Sequence, residues 1–197
     1  MPTLYLLRHG RLLPNPERRF IGRSDIPLSE EGRRQAMYWK QALAGVPFHE
    51  VWTSDLPRCR EMTALVTGER RLPVFVEPAF REISLGSWEG LTKTQVEERF
   101  PGALAERGRD FWNYVPAGGE SFAMLAGRVL AALRRRLTAL PPDGTALLTG
   151  HAGVNRVILM RYLALCMDDF FALPQPYAAC TVLRYEPDDL TGPALFS

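Results

Sequence analysis

Near its beginning the chain reads Thr3-Leu4-Tyr5-Leu6-Leu7-Arg8-His9-Gly10, a mostly apolar run that stops at two basic residues and a glycine. A run this short and this continuously apolar is typical of a buried strand in a parallel sheet. Four later runs also predict strands, at 50–53, 72–76, 145–148 and 180–185. Pro73 predicts that the third of these five strands lies at an edge of the sheet.

Helical patterns separate these strands. Ser29 is a predicted N-cap, Pro57 fits the first turn of a second helix, and Phe122 to Leu140 has the apolar spacing of a long amphipathic helix. Further helices are predicted over 91–100 and 154–165. The alternation predicts an α/β fold, a three-layer α/β/α sandwich around a mostly parallel sheet. Because no linker-like stretch separates two cores, residues 1–197 are predicted to form a single domain, with about 80–120 as an insertion over one end of the sheet.

Composition excludes several classes of protein. The chain has 197 residues and a net charge of +2, which is too small to indicate binding to nucleic acid or to an anionic membrane. No apolar run approaches the ~18 residues of a membrane span, and no basic segment of a signal peptide precedes Thr3. Three widely spaced cysteines indicate a reducing, cytoplasmic compartment and give no pattern for a metal. The sequence assigns no cofactor and no oligomeric state.

Polar side chains follow three of the predicted strands. Arg8 and His9 come directly after the first strand, Arg58 lies in the first turn of the helix after the second, and His151 follows the fourth. In open α/β sheets, ligands bind beyond the carboxyl ends of the strands. We therefore expect these four side chains to share one site if their strands are neighbours.

These residue types suit phosphoryl transfer. Two arginines could neutralise a phosphoryl group without Mg²⁺, since guanidinium binds phosphate oxygens as a fork and stays charged. One histidine could act as the nucleophile, and a second, if cationic, could stabilise charge on the transferring group. An acid must also protonate the leaving-group oxygen. Glu82 is the candidate, because the loop Arg81-Glu82-Ile83-Ser84-Leu85-Gly86 is expected to overhang the site.

Six segments in order resemble the histidine phosphatase superfamily, which has the phosphoglycerate mutase-like fold. The segments are Leu7-Arg8-His9-Gly10, the run 22–32 (GRSDIPLSEEG), the run 53–58 (TSDLPR), Glu82 with 85–90 (LGSWEG), Gly118-Gly119-Glu120-Ser121, and Gly150-His151-Ala152-Gly153. The tripeptide Arg8-His9-Gly10 alone would be weak evidence. Five further segments in the same order make the resemblance strong.

The resemblance implies a role for each matching position. His9 would be the nucleophile that becomes phosphorylated, and Glu82 the proton donor and then the base that activates water. The residues implied to hold the phosphoryl group are Arg8, Arg58 and His151. The residues implied to contact substrate are Asn15, Ile21, Gly22 and Ala152. No metal ligand is implied.

The alpha-ribazole phosphatase-like and broad-specificity phosphatases are the branch that the chain resembles most. Phosphoglycerate mutases carry a longer segment after the acid, whereas Glu82 is followed at once by the Gly86-Ser87-Trp88-Glu89-Gly90 turn. The expected activity is therefore hydrolysis of a small phosphomonoester, with alpha-ribazole 5'-phosphate as one candidate. Mutase-type phosphotransfer and a non-catalytic phosphate-binding module are the alternatives. Arg11 departs from the family, where Glu is common, and adds a cation at the mouth of the site.

Several other residues have a structural and a functional interpretation. We interpret His49 as structural, Glu89 as a partner within its own turn, and Cys59 as a buried helix cysteine. For Phe111, Trp112 and Tyr114 two interpretations stay open: they pack the insertion onto the domain, or they line the pocket and stack on a planar leaving group.

Overall fold

The computed structural model describes residues 1–185, in which five strands form one mixed sheet. The strands are β1 (Thr3–Arg8), β2 (Glu50–Thr53), β3 (Val74–Val76), β4 (Thr145–Gly150) and β5 (Cys180–Arg184). Their order is β3-β2-β4-β1-β5, with only β5 antiparallel to its neighbour. The mostly parallel sheet and the edge position of the third strand are confirmed.

Helices cover both faces of this sheet. They are α1 (Glu30–Ala42), α2 (Pro57–Thr67), α3 (Lys93–Arg99), α4 (Ala103–Arg109), α5 (Phe122–Ala139) and α6 (Ala152–Leu163). Successive strand residues point to opposite faces, so Leu147 packs in the α1–α2 core while Ala146 and Leu148 pack in the α5–α6 core. The three-layer α/β/α architecture is therefore confirmed.

The structure differs from the sequence-based elements at several positions, for example at α6, α4 and β3. α6 begins at Ala152, directly after His151, and not at Val154. α4 was not predicted, because its seven residues include three charged side chains and a glycine. β3 begins at Val74 because Pro73 has no N–H to give to the sheet.

Two glycines bring α1 against the loop that follows β1. A Cβ on Gly10 would lie 2.6 Å from the carbonyl oxygen of Gly32, and one on Gly32 would lie 2.2 Å from that of Arg11. Ser29 caps the helix by accepting from the N–H of Gly32. The close approach explains the glycines at both positions, and it fixes the backbone immediately after His9.

The 80–120 segment packs onto the α5–α6 side of the sheet. Trp112 is 5% exposed and stacks on Phe122 with ring centroids 6.5 Å apart, while Phe111 contacts Phe122 at 6.0 Å. Tyr114 lies 5.6 Å from Trp88. Trp112 belongs to the apolar core, and Phe111 and Tyr114 are partly buried against it, so the structure favours the packing interpretation of the three aromatic residues.

Candidate active site

The two candidate histidines follow neighbouring parallel strands. In the register of β1 and β4, Arg8 pairs with Gly150, so His9 and His151 emerge side by side at the carboxyl ends. Their ring centroids are 5.3 Å apart, and the residues are 4% and 0% exposed. The structure therefore brings these two side chains together at this edge of the sheet.

His9 is held in the form that a nucleophile needs. Its Nδ1 lies 2.8 Å from the carbonyl oxygen of Gly10, which can only accept, so Nδ1 carries the proton and Nε2 keeps its lone pair. Burial, with the charge of Arg58, lowers the pKa of His9 to about 3, although the Gly10 hydrogen bond acts in the opposite direction. The imidazole is therefore neutral at physiological pH.

This shift predicts a pH-dependent stability. Between pH 6.5 and about 3, the His9 side chain binds a proton only in the unfolded chain, so its contribution to stability is present above pH 6.5 and is lost as pH falls through this window. Comparing wild type with His9→Gln by urea denaturation, we expect the wild type to lose up to about 2 kcal/mol more between pH 7 and pH 5. Equal losses in the two proteins would contradict a neutral, buried His9.

Arg58 connects His151 to the loop after β1. Its Nη1 and Nη2 donate to the carbonyl oxygens of Ser24 and Gly22, both at 2.8 Å, and its Nε donates to Nδ1 of His151 at 3.3 Å. Three of the five N–H groups of the guanidinium are used. One N–H remains on each terminal nitrogen, an arrangement that can bind two oxygens of one phosphoryl group.

His151 is a neutral imidazole in this arrangement. Since Nδ1 accepts from Arg58, the proton is on Nε2, which donates to Oγ of Ser54 at 2.9 Å. Burial, together with the charge of Arg58, lowers the pKa of His151 well below its usual value. His151 is therefore not the cationic second histidine that could stabilise charge on the transferring group. Ser54, which sequence analysis did not propose as a site residue, contacts this ring and positions it.

Arg8 has a buried donor without a partner. Its Nη1 donates to the carbonyl oxygen of Gln175, and its guanidinium lies 4.1 Å from the ring centroid of Tyr177. Its Nε, by contrast, has no hydrogen-bond partner among the described residues. Leaving a buried donor unsatisfied is costly, so this N–H is available to an anionic ligand beside His9.

Glu82 reaches the same place from the 80–120 segment. Its Oε2 accepts from the N–H of Gly153 at 3.1 Å, and its Oε1 accepts from that of Ile83 at 3.0 Å. A Cβ on Gly153 would lie 2.4 Å from Oε1, so the carboxylate occupies the space that this glycine leaves. Ala152 is the first residue of α6 and lies between His151 and Gly153 in the chain.

Arg128 holds the Glu82 loop, and sequence analysis did not find it. Its Nη2 donates to the backbone carbonyl of Glu82 at 3.0 Å and to Glu120 at 2.8 Å, while its Nη1 donates to the carbonyl of Arg81 at 2.8 Å. Arg23 Nε donates to the same Glu82 carbonyl at 3.1 Å. The only signal in the sequence is one arginine within the otherwise uncharged first half of α5.

An adjacent groove is lined by two of the four residues implied to contact substrate. Asn15 and Ile21 line it, although the Asn15 amide already bonds the Arg19 backbone, with Nδ2 donating at 2.8 Å and Oδ1 accepting at 3.0 Å. The carbonyl of Gly22 is used by Arg58. Contact of these residues, and of Ala152, with a substrate stays a prediction.

Three residues with alternative interpretations have structural contacts. Glu89 accepts from the N–H of Leu85 within its own turn and from the N–H of Arg23 outside it, both at 3.0 Å. His49 accepts from the N–H of Thr145 at the start of β4. Cys59 is fully buried, and burial raises the pKa of its thiol, so a thiolate nucleophile is disfavoured.

Neither a metal cluster nor a spanning helix is found in the described part of the chain. No group of three or more His, Cys, Asp or Glu side chains within residues 1–185 is arranged to hold a metal ion. No helix in the same range is long and apolar enough to cross a membrane.

Comparison with known proteins assigns the family of this chain. Residues 4–193 match the model of the histidine phosphatase superfamily (branch 1), and the chain belongs to that superfamily. The protein is therefore an enzyme, with activity of the phosphatase/mutase type of this superfamily. The fold agrees: the structure of Bacillus stearothermophilus YhfR superposes with a TM-score of 0.85 at 29% identity, covering 95% of this chain and 93% of that one.

Relatives in sequence carry several activities. A glucosyl-3-phosphoglycerate phosphatase of Mycobacterium tuberculosis is 35% identical over 86% of this chain and 79% of its own length. An adenosylcobalamin/alpha-ribazole phosphatase of Salmonella typhimurium is 30% identical over 82% and 80%. A 2,3-bisphosphoglycerate-dependent phosphoglycerate mutase of Gloeobacter violaceus is 30% identical over 81% and 75%. These names differ in substrate but share phosphoryl transfer.

Proposed function

We propose that the protein is a metal-independent phosphomonoesterase that hydrolyses a small phosphorylated metabolite through a phosphohistidine at His9. One observation carries this proposal most directly: a neutral imidazole with a free Nε2 lies beside a buried, unpartnered Arg8 Nε and next to the Arg58 guanidinium. Two guanidinium groups, one buried and one partly buried, that make no ion pair within residues 1–185 favour a dianion such as a phosphate ester.

In the proposed first step, the His9 Nε2 lone pair attacks phosphorus while the bond to the leaving-group oxygen breaks. Glu82 gives its proton to that oxygen, so the product leaves as an alcohol. Arg8 and Arg58 hold the phosphoryl oxygens, and His151 donates a hydrogen bond to them after turning from Ser54. Because catalysis of phosphoryl transfer depends mainly on position and charge, these fixed cations can replace a metal ion.

In the second step, water attacks the phosphorus of the phosphohistidine. The Glu82 carboxylate takes a proton from this water, the P–N bond breaks, and the electron pair returns to Nε2. Inorganic phosphate then leaves, and His9 is again neutral. The hydrogen bond from His9 Nδ1 to the Gly10 carbonyl keeps the ring oriented throughout both steps.

The acid role of Glu82 predicts a dependence on the leaving group. Glu82→Gln should lower kcat/KM for an alkyl phosphate by about 10²-fold or more, and much less for p-nitrophenyl phosphate, whose leaving group needs no proton. Steady-state kinetics on both substrates measure the two losses. Glu89→Gln serves as the matched control, because Glu89 is bonded within its turn. Equal losses on both substrates would move the acid role to another residue.

The particular substrate is proposed from the relatives and the sequence together. Alpha-ribazole 5'-phosphate and a phosphorylated glycerate or sugar are the candidates supported by the names of the relatives. Hydrolysis is favoured over mutase activity because the Gly86-Ser87-Trp88-Glu89-Gly90 turn follows Glu82 so closely. Measuring phosphate release against isomer formation with 3-phosphoglycerate separates these two activities. A non-catalytic binding module is disfavoured by the complete set of candidate groups.

We also propose that residues 1–197 form one domain, with 80–120 inserted over the site, and that the protein acts in the cytoplasm on small molecules. The insertion contributes Glu82 to the site and shares its apolar core with α5. All three cysteines are free thiols, which suits a reducing compartment. Residues 186–197 lie outside the described residues.

A further inference from the structure

A groove of about 640 Å³ extends to Tyr177, whose ring lies next to that of the nucleophile. Tyr177 connects the two: its ring centroid is 5.6 Å from that of His9, and it also lines the groove. We call this space the loop groove; its lining includes Leu13, Pro14, Ile21, Tyr177, Arg11 and Arg18. A cavity of this volume is in the range of small-molecule sites and exceeds what a phosphate ion needs.

One part of the loop groove is apolar. Leu13 is 47% exposed, and with Pro14, Ile21 and the Tyr177 ring it lines the groove with hydrocarbon surface. Apolar surface of this kind is stabilised when a ligand covers it. It suits the carbon skeleton or ring of a leaving group attached to the transferred phosphoryl group.

The charged residues of the loop groove differ in how far they are neutralised. Arg11 pairs with Glu31 at 3.1 Å, Arg19 pairs with Glu17 at 2.8 Å, and Glu30 has Arg34 at 4.0 Å. Arg18 makes no ion pair within residues 1–185. It is therefore the cation of this groove that is free to bind an anion.

The backbone of Arg18 is also unusual. Its φ is +53°, a conformation that costs energy for a residue with a side chain. The Asn15 loop enforces this conformation. The Arg18 N–H donates to the Asn15 carbonyl at 3.0 Å, and the Asn15 side-chain amide bonds both the N–H and the carbonyl of Arg19. The same turn that shapes the loop thus fixes the position from which the Arg18 side chain extends along the groove.

We propose that the loop groove binds a leaving group with an apolar body and a second anionic group, a carboxylate or another phosphate, which pairs with Arg18. This inference rests on the proposed phosphatase activity and names its substrate class. Arg18 acts as a specificity-determining residue that binds the part of the substrate remote from the phosphoryl group. Glu30 and Glu31 exclude a leaving group that is anionic along its whole length.

Phenyl phosphate and 4-carboxyphenyl phosphate test this directly, because they differ only in the remote carboxylate. The quantity to measure is the ratio of kcat/KM for the carboxylated over the plain ester, in wild type, Arg18→Ala and Arg18→Lys. We expect Arg18→Ala to lower this ratio about three- to fivefold, the scale of a partly exposed ion pair. Arg18→Lys should retain most of it, and added salt should reduce it in wild type.

A matched control is Arg134→Ala, an exposed arginine of α5 outside the loop groove, which should leave the ratio unchanged. Thermal unfolding of each variant verifies that it is folded. If phenyl phosphate is hydrolysed in a His9-dependent reaction and the ratio is the same in Arg18→Ala as in wild type, the subsite assignment is wrong although the phosphatase proposal stands. If wild type hydrolyses neither ester, both proposals are overturned together.

Discussion

Replacing His9 with alanine is expected to abolish hydrolysis of phosphomonoesters, with a loss in kcat on the order of 10⁴-fold or more, as when a nucleophile that acts with its partners is removed. The physical reason is that Nε2 of the neutral His9 keeps the lone pair that is proposed to attack phosphorus. Steady-state assays with p-nitrophenyl phosphate measure the loss.

His49→Ala is the control for this experiment. His49 is exposed and bonds the Thr145 N–H at the start of β4, so its removal tests the effect of losing a histidine away from the site. Activity should be retained in that variant. Substantial turnover by purified, folded His9→Ala would refute the nucleophile assignment.

Arg58→Ala is expected to reduce kcat/KM by about 10²- to 10³-fold, the usual cost of losing a fixed donor to transition-state charge. Two effects add. The phosphoryl group loses the two N–H donors of Arg58 that no protein group uses, and His151 loses the Arg58 Nε–H that sets its tautomer. The variant should also lose the rise in Tm that inorganic phosphate gives to wild type, since a ligand stabilises only the state that binds it.

Arg58→Lys and Arg60→Ala are the controls for the Arg58→Ala experiment. Arg58→Lys keeps a charge but not the fork, so it should recover only part of the activity. Arg60→Ala removes an exposed arginine two residues further along α2 and should behave as wild type. A phosphate-induced rise in Tm that is unchanged in Arg58→Ala would show that Arg58 does not bind phosphate.

Much of the fold could be predicted because its signals are local. The Thr3–Leu7 run is buried on both sides, so its pattern is continuous and easily recognised. α4 escaped prediction because a short helix with several charged residues has little apolar periodicity. The start of α6 at Ala152 was placed too late, because no side-chain cap marks it.

The site residues also divide into those with a local sequence signal and those without one. His9, Arg8 and His151 could be placed from strand ends, because the topology of a parallel sheet brings such positions together. Arg128 and Ser54 act through contacts across α5 and β2–α2 that no local pattern encodes. The neutral state of His151 depends on burial and on the neighbouring Arg58 charge, which are properties of the packed structure and not of the local sequence.

The most direct test of the central proposal is to trap the phosphoenzyme. The protein would be mixed with p-nitrophenyl phosphate in the presence of EDTA, quenched within milliseconds at high pH, and examined by intact mass beside His9→Ala. We predict an adduct of one phosphoryl group that survives base, is lost in acid, and is absent from His9→Ala. Rapid turnover by wild type with no adduct at any quench time, or an equal adduct on His9→Ala, would contradict a phosphohistidine at His9.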